Sequence, residues 1–194
     1  AASTYYATAF AGHPYGTDQN GTVESVQSLT RDDMLAAHRA VLTRQEVYVG
    51  AVGDITPAEL GALLDHLLGD LPADGPDMPA HVDYTLPAGT DVIGFDTPQS
   101  VVLFSQRGIA RDDPRYFAAS ILNTVLGDGM ESRLMQSVRE ERGLTYGIGT
   151  FLVPRDMSEA ILGSFASSNA SVAEAIGLVQ EEWARIATEG ITQE

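Results

Sequence analysis

The sequence predicts an α+β chain, built as a two-layer sheet with helices packed on one face. Three observations lead there. Short valine- and isoleucine-rich runs have strand length, several longer segments carry helix caps with an apolar stripe at helical spacing, and 44% hydrophobic content over 194 residues is ample for a core.

Each element follows from local signals. Thr30 with Asp33 three residues on marks a helix start, and Met34, Leu35, His38, Val41 and Leu42 then share one face. Residues 47–52, rich in valine, read as a buried strand that Gly53-Asp54 turns away. Thr56-Pro57-Ala58-Glu59 combines an N-cap, a proline at the first helical position and an acidic third residue. Leu60, Leu63, Leu64, Leu67 and Leu68 make that helix's stripe, and Gly69 ends it. From 72 to 89 the chain is rich in Pro, Gly and Asp, the composition of a connection. The expected domains are 1–75, the later part of a first domain, and 91–194, a second domain cut short at its C-terminus, joined by a linker over 76–90.

Beyond the linker, 91–95 and 101–105 read as strands with Pro98 at the turn. Asp113-Pro114 opens a helix with apolar positions Phe117, Ile121, Leu122 and Val125, closed by Gly127. Strands over 144–153 and 160–165 flank Pro154-Arg155-Asp156. A long helix follows with Val172, Ile176, Val179, Trp183 and Ile186 on one side, and Gly190 caps it. Thr192-Gln193-Glu194 reads as the start of another helix, and the N-terminus lacks both a start methionine and a basic leader. Both ends are therefore expected to be cuts in a longer protein.

Composition removes several functions. A net charge of −16 repels nucleic-acid phosphates at long range, and no apolar run approaches a membrane span. All eleven basic residues other than histidine are Arg. Residues 45–106 hold ten carboxylates and no Lys or Arg, which we read as a solvated acidic face in preference to a docking surface for a basic partner. The absence of Cys excludes disulfides and thiolate metal sites and leaves the compartment open. His13, His38, His66 and His81 are too far apart in sequence to form a local zinc motif. Gly127 and Gly129 lack the lysine and spacing of a phosphate loop, so helix termination explains them.

The stretch from 127 to 147, G-D-G-M-E-S-R-L-M-Q-S-V-R-E-E-R-G-L-T-Y-G, is the most informative. A glycine-broken loop enters a short charged helix that Gly143 stops, and a strand is expected from Leu144 with Tyr146 on it. Arg139 and Tyr146 thus flank a reversal. On the residues alone two arrangements stand. The guanidinium and phenol meet a peptide carbonyl together, or Arg139 pairs with Glu140 or Glu141 while Tyr146 packs in its strand.

The motifs G-H-P-Y-G at 12–16, L-G-D-L-P at 68–72, R-D-D-P-R-Y-F at 111–117, L-G-D-G-M-E-S-R-L at 126–134 and V-R-E-E-R-G-L-T-Y-G at 138–147 occur in one order. This set resembles the pitrilysin, insulinase and mitochondrial processing peptidase family. The resemblance implies the end of one α+β domain joined to most of a homologous one, in the inactive, non-zinc region of a zinc metalloendopeptidase. It implies zinc bound by an H-x-x-E-H motif elsewhere in the parent or in a partner subunit, none bound by this chain, and no catalytic residue here. It assigns Arg139 and Tyr146 to substrate contact, with a peptide or unfolded polypeptide as ligand and a homologous zinc-bearing domain or subunit as partner. Two other expectations fit the same motifs: a non-catalytic subunit acting in trans, and a structural core subunit without peptidase activity. His13 matches the family's H-P-Y-G turn, a structural position.

Overall fold

The computed structural model describes residues 2–45 and 47–191. Its elements run α1 (Ala2–Ala9), a 3-10 turn (Pro14–Gly16), α2 (Val23–Ser28), α3 (Arg31–Val41), α4 (Pro57–Leu68), β1 (Gln99–Arg107), α5 (Tyr116–Leu126), a π-helix (Met135–Glu140), β2 (Ile148–Arg155), β3 (Ser158–Ser168) and α6 (Val172–Glu189). The helix start expected at 192–194 lies outside the described residues. Contacts divide the chain into one unit of Ala1–Asp18 with Pro79–Glu194 and another of Gln19–Met78.

In the Gln19–Met78 unit the helices begin where local chemistry says they should. Thr30 Oγ1 accepts from the Asp33 N–H while the Thr30 N–H donates to the Asp33 carboxylate at 2.8 Å, and Thr56 and Glu59 repeat the reciprocal pair. Those hydrogen bonds to Thr30 and Thr56 hold the Asp33 and Glu59 carboxyls below their ordinary pKa. No residue of α3 or α4 is buried, however, and residues 47–52 form no strand, leaving Tyr48 and Val52 fully open. A strand exists only by pairing, and no described strand pairs with this run. Residues 91–95 are corrected in the same way: Val92 and Phe95 are exposed and unpaired.

The other unit is built on a three-stranded antiparallel sheet in the order β1-β3-β2. Val102 pairs with Phe165 and Phe165 with Ile148, so these three side chains share one face. Against that face α5, the π-helix and α6 pack Leu126, Leu134, Met135, Val138, Ala175, Val179 and Ile186. Trp183, half-buried at its rim, donates its indole N–H to Gln106 Oε1 at 2.9 Å. The α+β expectation holds, with β2 starting at Ile148 instead of Leu144. The helix over 116–126 is where the sequence places it, but it buries Tyr116, Asn123 and Leu126, and Phe117, 76% exposed, points outward with Ile121 and Leu122. Apolar residues ring most of α5, so spacing alone misassigned the face. A polar anchor settles it: Asn123 Nδ2 donates to the Thr150 carbonyl at 3.2 Å.

The opposite face of the sheet is half covered from elsewhere. Phe10 and Ala9 of the N-terminal segment pack with Tyr84 and Ala160. The Arg155 guanidinium lies among three rings, 4.8 Å from the centre of Tyr15, 5.3 Å from Tyr6 and 5.9 Å from Phe10. Tyr5 and Tyr84 share a hydroxyl hydrogen bond of 2.7 Å, Tyr84 bonds onward to Ser105, and burial raises the Tyr5 phenol above its ordinary pKa. Residues 80–84 are tied by the Val82 N–H to the Met157 carbonyl at 2.9 Å and by Asp83 to Arg107 at 3.1 Å.

The approach to α5 is organised by one carboxylate. Asp113 accepts from the Arg115 side chain at Nη2 (2.8 Å) and Nε (3.0 Å) and from the Arg115 backbone N–H (2.8 Å), and these hydrogen bonds lower its pKa to about 2. Because the folded-state value is depressed, the stabilisation is complete above the unfolded value of 3.8 and is lost as pH falls toward 2. Carboxyl-carbon NMR titration is expected to place the Asp113 midpoint near 2, and an ordinary midpoint near 4 would refute the pairing in solution.

Candidate functional site

The site begins at the end of α5. The Gly127 N–H caps Asn123, and the Gly127 carbonyl accepts from the Thr150 N–H at 3.0 Å, fixing the loop to the β2 edge. A Cβ on Gly127 would overlap the Thr150 side chain and reach its backbone N at 3.0 Å, so this approach requires glycine. Ser132 turns the chain into the next helix by donating to the Gly129 carbonyl at 2.8 Å.

That helix is a π-helix. The Glu141 N–H bonds to the Gln136 carbonyl, five residues back, at 3.0 Å. Its end is widened by one residue relative to a Schellman cap: Gly143 N–H reaches the Arg139 carbonyl (2.8 Å) and Leu144 N–H the Val138 carbonyl (3.0 Å). Gly143 takes φ +65, a left-handed value natural to glycine. Beyond the reversal, Ser167 Oγ donates to the Leu144 carbonyl at 2.6 Å and Thr145 Oγ1 to the Ala166 carbonyl at 2.7 Å, pinning the turn to β3.

Tyr146 therefore sits in a braced turn before β2 and not on the strand. Its side chain is 91% exposed, and no hydrogen bond or ring contact engages it among the described residues. Arg139 is 33% exposed at the side chain and pairs through Nη1 with Glu140 Oε1 at 3.0 Å. Of the arrangement in which Arg139 pairs locally and Tyr146 packs, one half is present: the Glu140 ion pair forms, while Tyr146 remains unpacked. Both side chains are open to solvent on the two sides of one reversal, and no direct bond joins them among the described residues. Arg142 reaches Glu174 of α6 at 3.4 Å. Thr145 and Ser167, which hold the turn, carry no signal in sequence, because their hydrogen bonds are to backbone distant along the chain.

The histidines do not fit a zinc ligand set. His13 Nδ1 accepts from the Tyr15 N–H and its Nε2 meets the Ala80 carbonyl at 3.1 Å, so both ring nitrogens serve the turn. His81 faces Glu159 at 3.4 Å, and no group of three or more His, Asp and Glu converges among the described residues. No helix among the described residues is long and apolar enough to cross a membrane.

A three-stranded antiparallel sheet with α5, the π-helix and α6 packed on one face thus carries a glycine-ended turn with an arginine and a tyrosine on its two sides. The profile of the Peptidase M16 inactive domain family matches residues 28–194, and the chain belongs to that family. A protein of Streptomyces coelicolor named as an uncharacterized zinc protease is 30% identical over 96% of this chain and 42% of its own length. One of Mycobacterium leprae, named likewise, is 30% identical over 97% of this chain and 43% of its own length. The crystal structure of a peptidase M16 inactive domain from Pseudomonas fluorescens superposes with a TM-score of 0.82 at 27% identity, covering 100% of this chain and 47% of that one. The chain thus spans less than half the length of the relatives it matches, and the family read from its motifs is borne out.

Proposed function

We propose that this chain is the substrate-binding, non-zinc region of a zinc metalloendopeptidase, in which Arg139 and Tyr146 hold the peptide next to the cleaved bond. The observation that carries this reading is Tyr146: a phenol 91% exposed and unengaged among the described residues, on a turn braced by Gly143, Leu144, Thr145 and Ser167. A phenol presented on a rigid turn is pre-organised for a ligand. Tyr O–H and Arg N–H donors aimed at a carbonyl oxygen bind it more strongly as negative charge develops there. Zinc, bound by a homologous domain of the parent or by a partner subunit, supplies the activated water. This chain's residues bind and orient the peptide, which lies as an added strand along a sheet edge inside a closed chamber. The domain division at 76–90 belongs to the same reading, with 1–75 and 91–194 as parts of successive homologous domains.

Zinc content and hydrolysis of an unstructured peptide, measured for this chain alone, for the full-length protein and for that protein mixed with a zinc-bearing homologue, test it. The expected result is neither metal nor turnover in the chain alone, and both in the parent or the mixture. Stoichiometric zinc in the isolated chain overturns the assignment.

A further inference from the structure

We propose that Glu140 is a positioning residue for this grip: it ties down one edge of the Arg139 guanidinium so that the remaining donors face the peptide in a fixed orientation. The inference rests on the reading of Arg139 and Tyr146 given above. A guanidinium carries its charge on a rigid plane, and the ion pair between Nη1 and Glu140 Oε1 at 3.0 Å engages one end of it. The backbone beneath is already fixed, because the Arg139 carbonyl is held by the Gly143 N–H at 2.8 Å and the adjacent Val138 side chain is fully buried. What stays free is the long side chain itself, and Glu140 removes that freedom.

The π-helix makes the contact available. Successive side chains on an α-helix diverge by roughly 100°, and neighbours do not face each other. The wider π turn narrows that angle, bringing residues 139 and 140 within reach. The pair is not there to hold the fold, since Glu140 is exposed and Arg139 only partly buried, and such surface pairs contribute little to stability. Nor is Glu140 the only carboxylate near in sequence: Glu141, two residues on, is exposed as well. The choice of Glu140 sets the direction in which the fork points.

The test is a double-mutant cycle in the full-length protein, reading the anisotropy of a fluorescein-labelled, unstructured peptide of neutral net charge. Glu140→Ala is expected to weaken binding about two- to tenfold, the scale set by ordering one long side chain, with the melting temperature unchanged. Glu140→Asp, which keeps the charge, is expected to restore part of that loss, and Glu141→Ala to bind as wild type. In an Arg139→Ala background the Glu140→Ala penalty is expected to vanish. Wild-type affinity of Glu140→Ala, or a penalty that persists without Arg139, overturns the inference while leaving the peptide-binding reading intact. Wild-type affinity of Arg139→Ala overturns both.

Discussion

Tyr146→Phe is expected to lower the rate of peptide cleavage by the full-length protein, or by its complex with a zinc-bearing subunit, about 10²-fold. The substitution deletes a single oxygen. Because that oxygen has no partner among the described residues, its loss leaves no buried group unpaired and no cavity, so the melting temperature is expected to stay constant. The loss should fall mainly on kcat, since the donor gains most where the carbonyl oxygen becomes an oxyanion. Arg139→Ala is expected to act in the same direction and to raise KM as well, because a cation also binds the ground-state peptide. Cleavage unchanged in both variants would remove the substrate role from this pair and favour a purely structural part for this chain in the active assembly.

Leu134→Ala is expected to do the reverse, lowering stability by about 2–5 kcal/mol while sparing the rate per folded molecule at low temperature. Leu134 is fully buried and lies in the cluster with Met135, Val138, Ile148 and Phe165, where helix and sheet meet beneath the π-helix. Truncation removes apolar contacts and leaves a cavity that the flanking strands and α6 cannot all collapse to fill. A fall in melting temperature of the full-length protein measures it, and an unchanged melting temperature would mean that this cluster is not the core of the unit. Set beside Tyr146→Phe, the two variants separate what presents the site from what the site does.

What was legible in the sequence was what is local. The boxes at Thr30–Asp33 and Thr56–Glu59 are closed within four residues, and both helices begin where those signals put them. The helix before Gly127 and the Gly143 reversal were legible for the same reason, as was the two-layer class. Pairing was not legible. Residues 47–52 and 91–95 have strand composition, but strand formation depends on a distant neighbour that composition does not name. The helix α1 carries neither an acidic first turn nor a basic last one, and α2 uses Ser25 at the position where Glu or Gln would have announced the box. The buried face of α5 was hidden because Asn123, a polar residue, occupies it. At the candidate site, Arg139 and Tyr146 were singled out by the motif. Their braces were not, since Thr145 and Ser167 act through carbonyls contributed by another strand or turn. The π-turn has no compositional marker at all.

Phe10 and Ala160 are far apart in the order of synthesis, yet they share one apolar cluster. The aromatic segment around Phe10 is thus made before its cover, which follows only after the Gln19–Met78 unit, β1, α5 and β2 have been translated. During that interval Tyr5, Tyr6, Phe10 and Tyr15 have no partner surface in Ala160 or Arg155, and nascent protein must carry this sticky patch through the ribosome's vicinity, a window in which chaperone capture competes with docking.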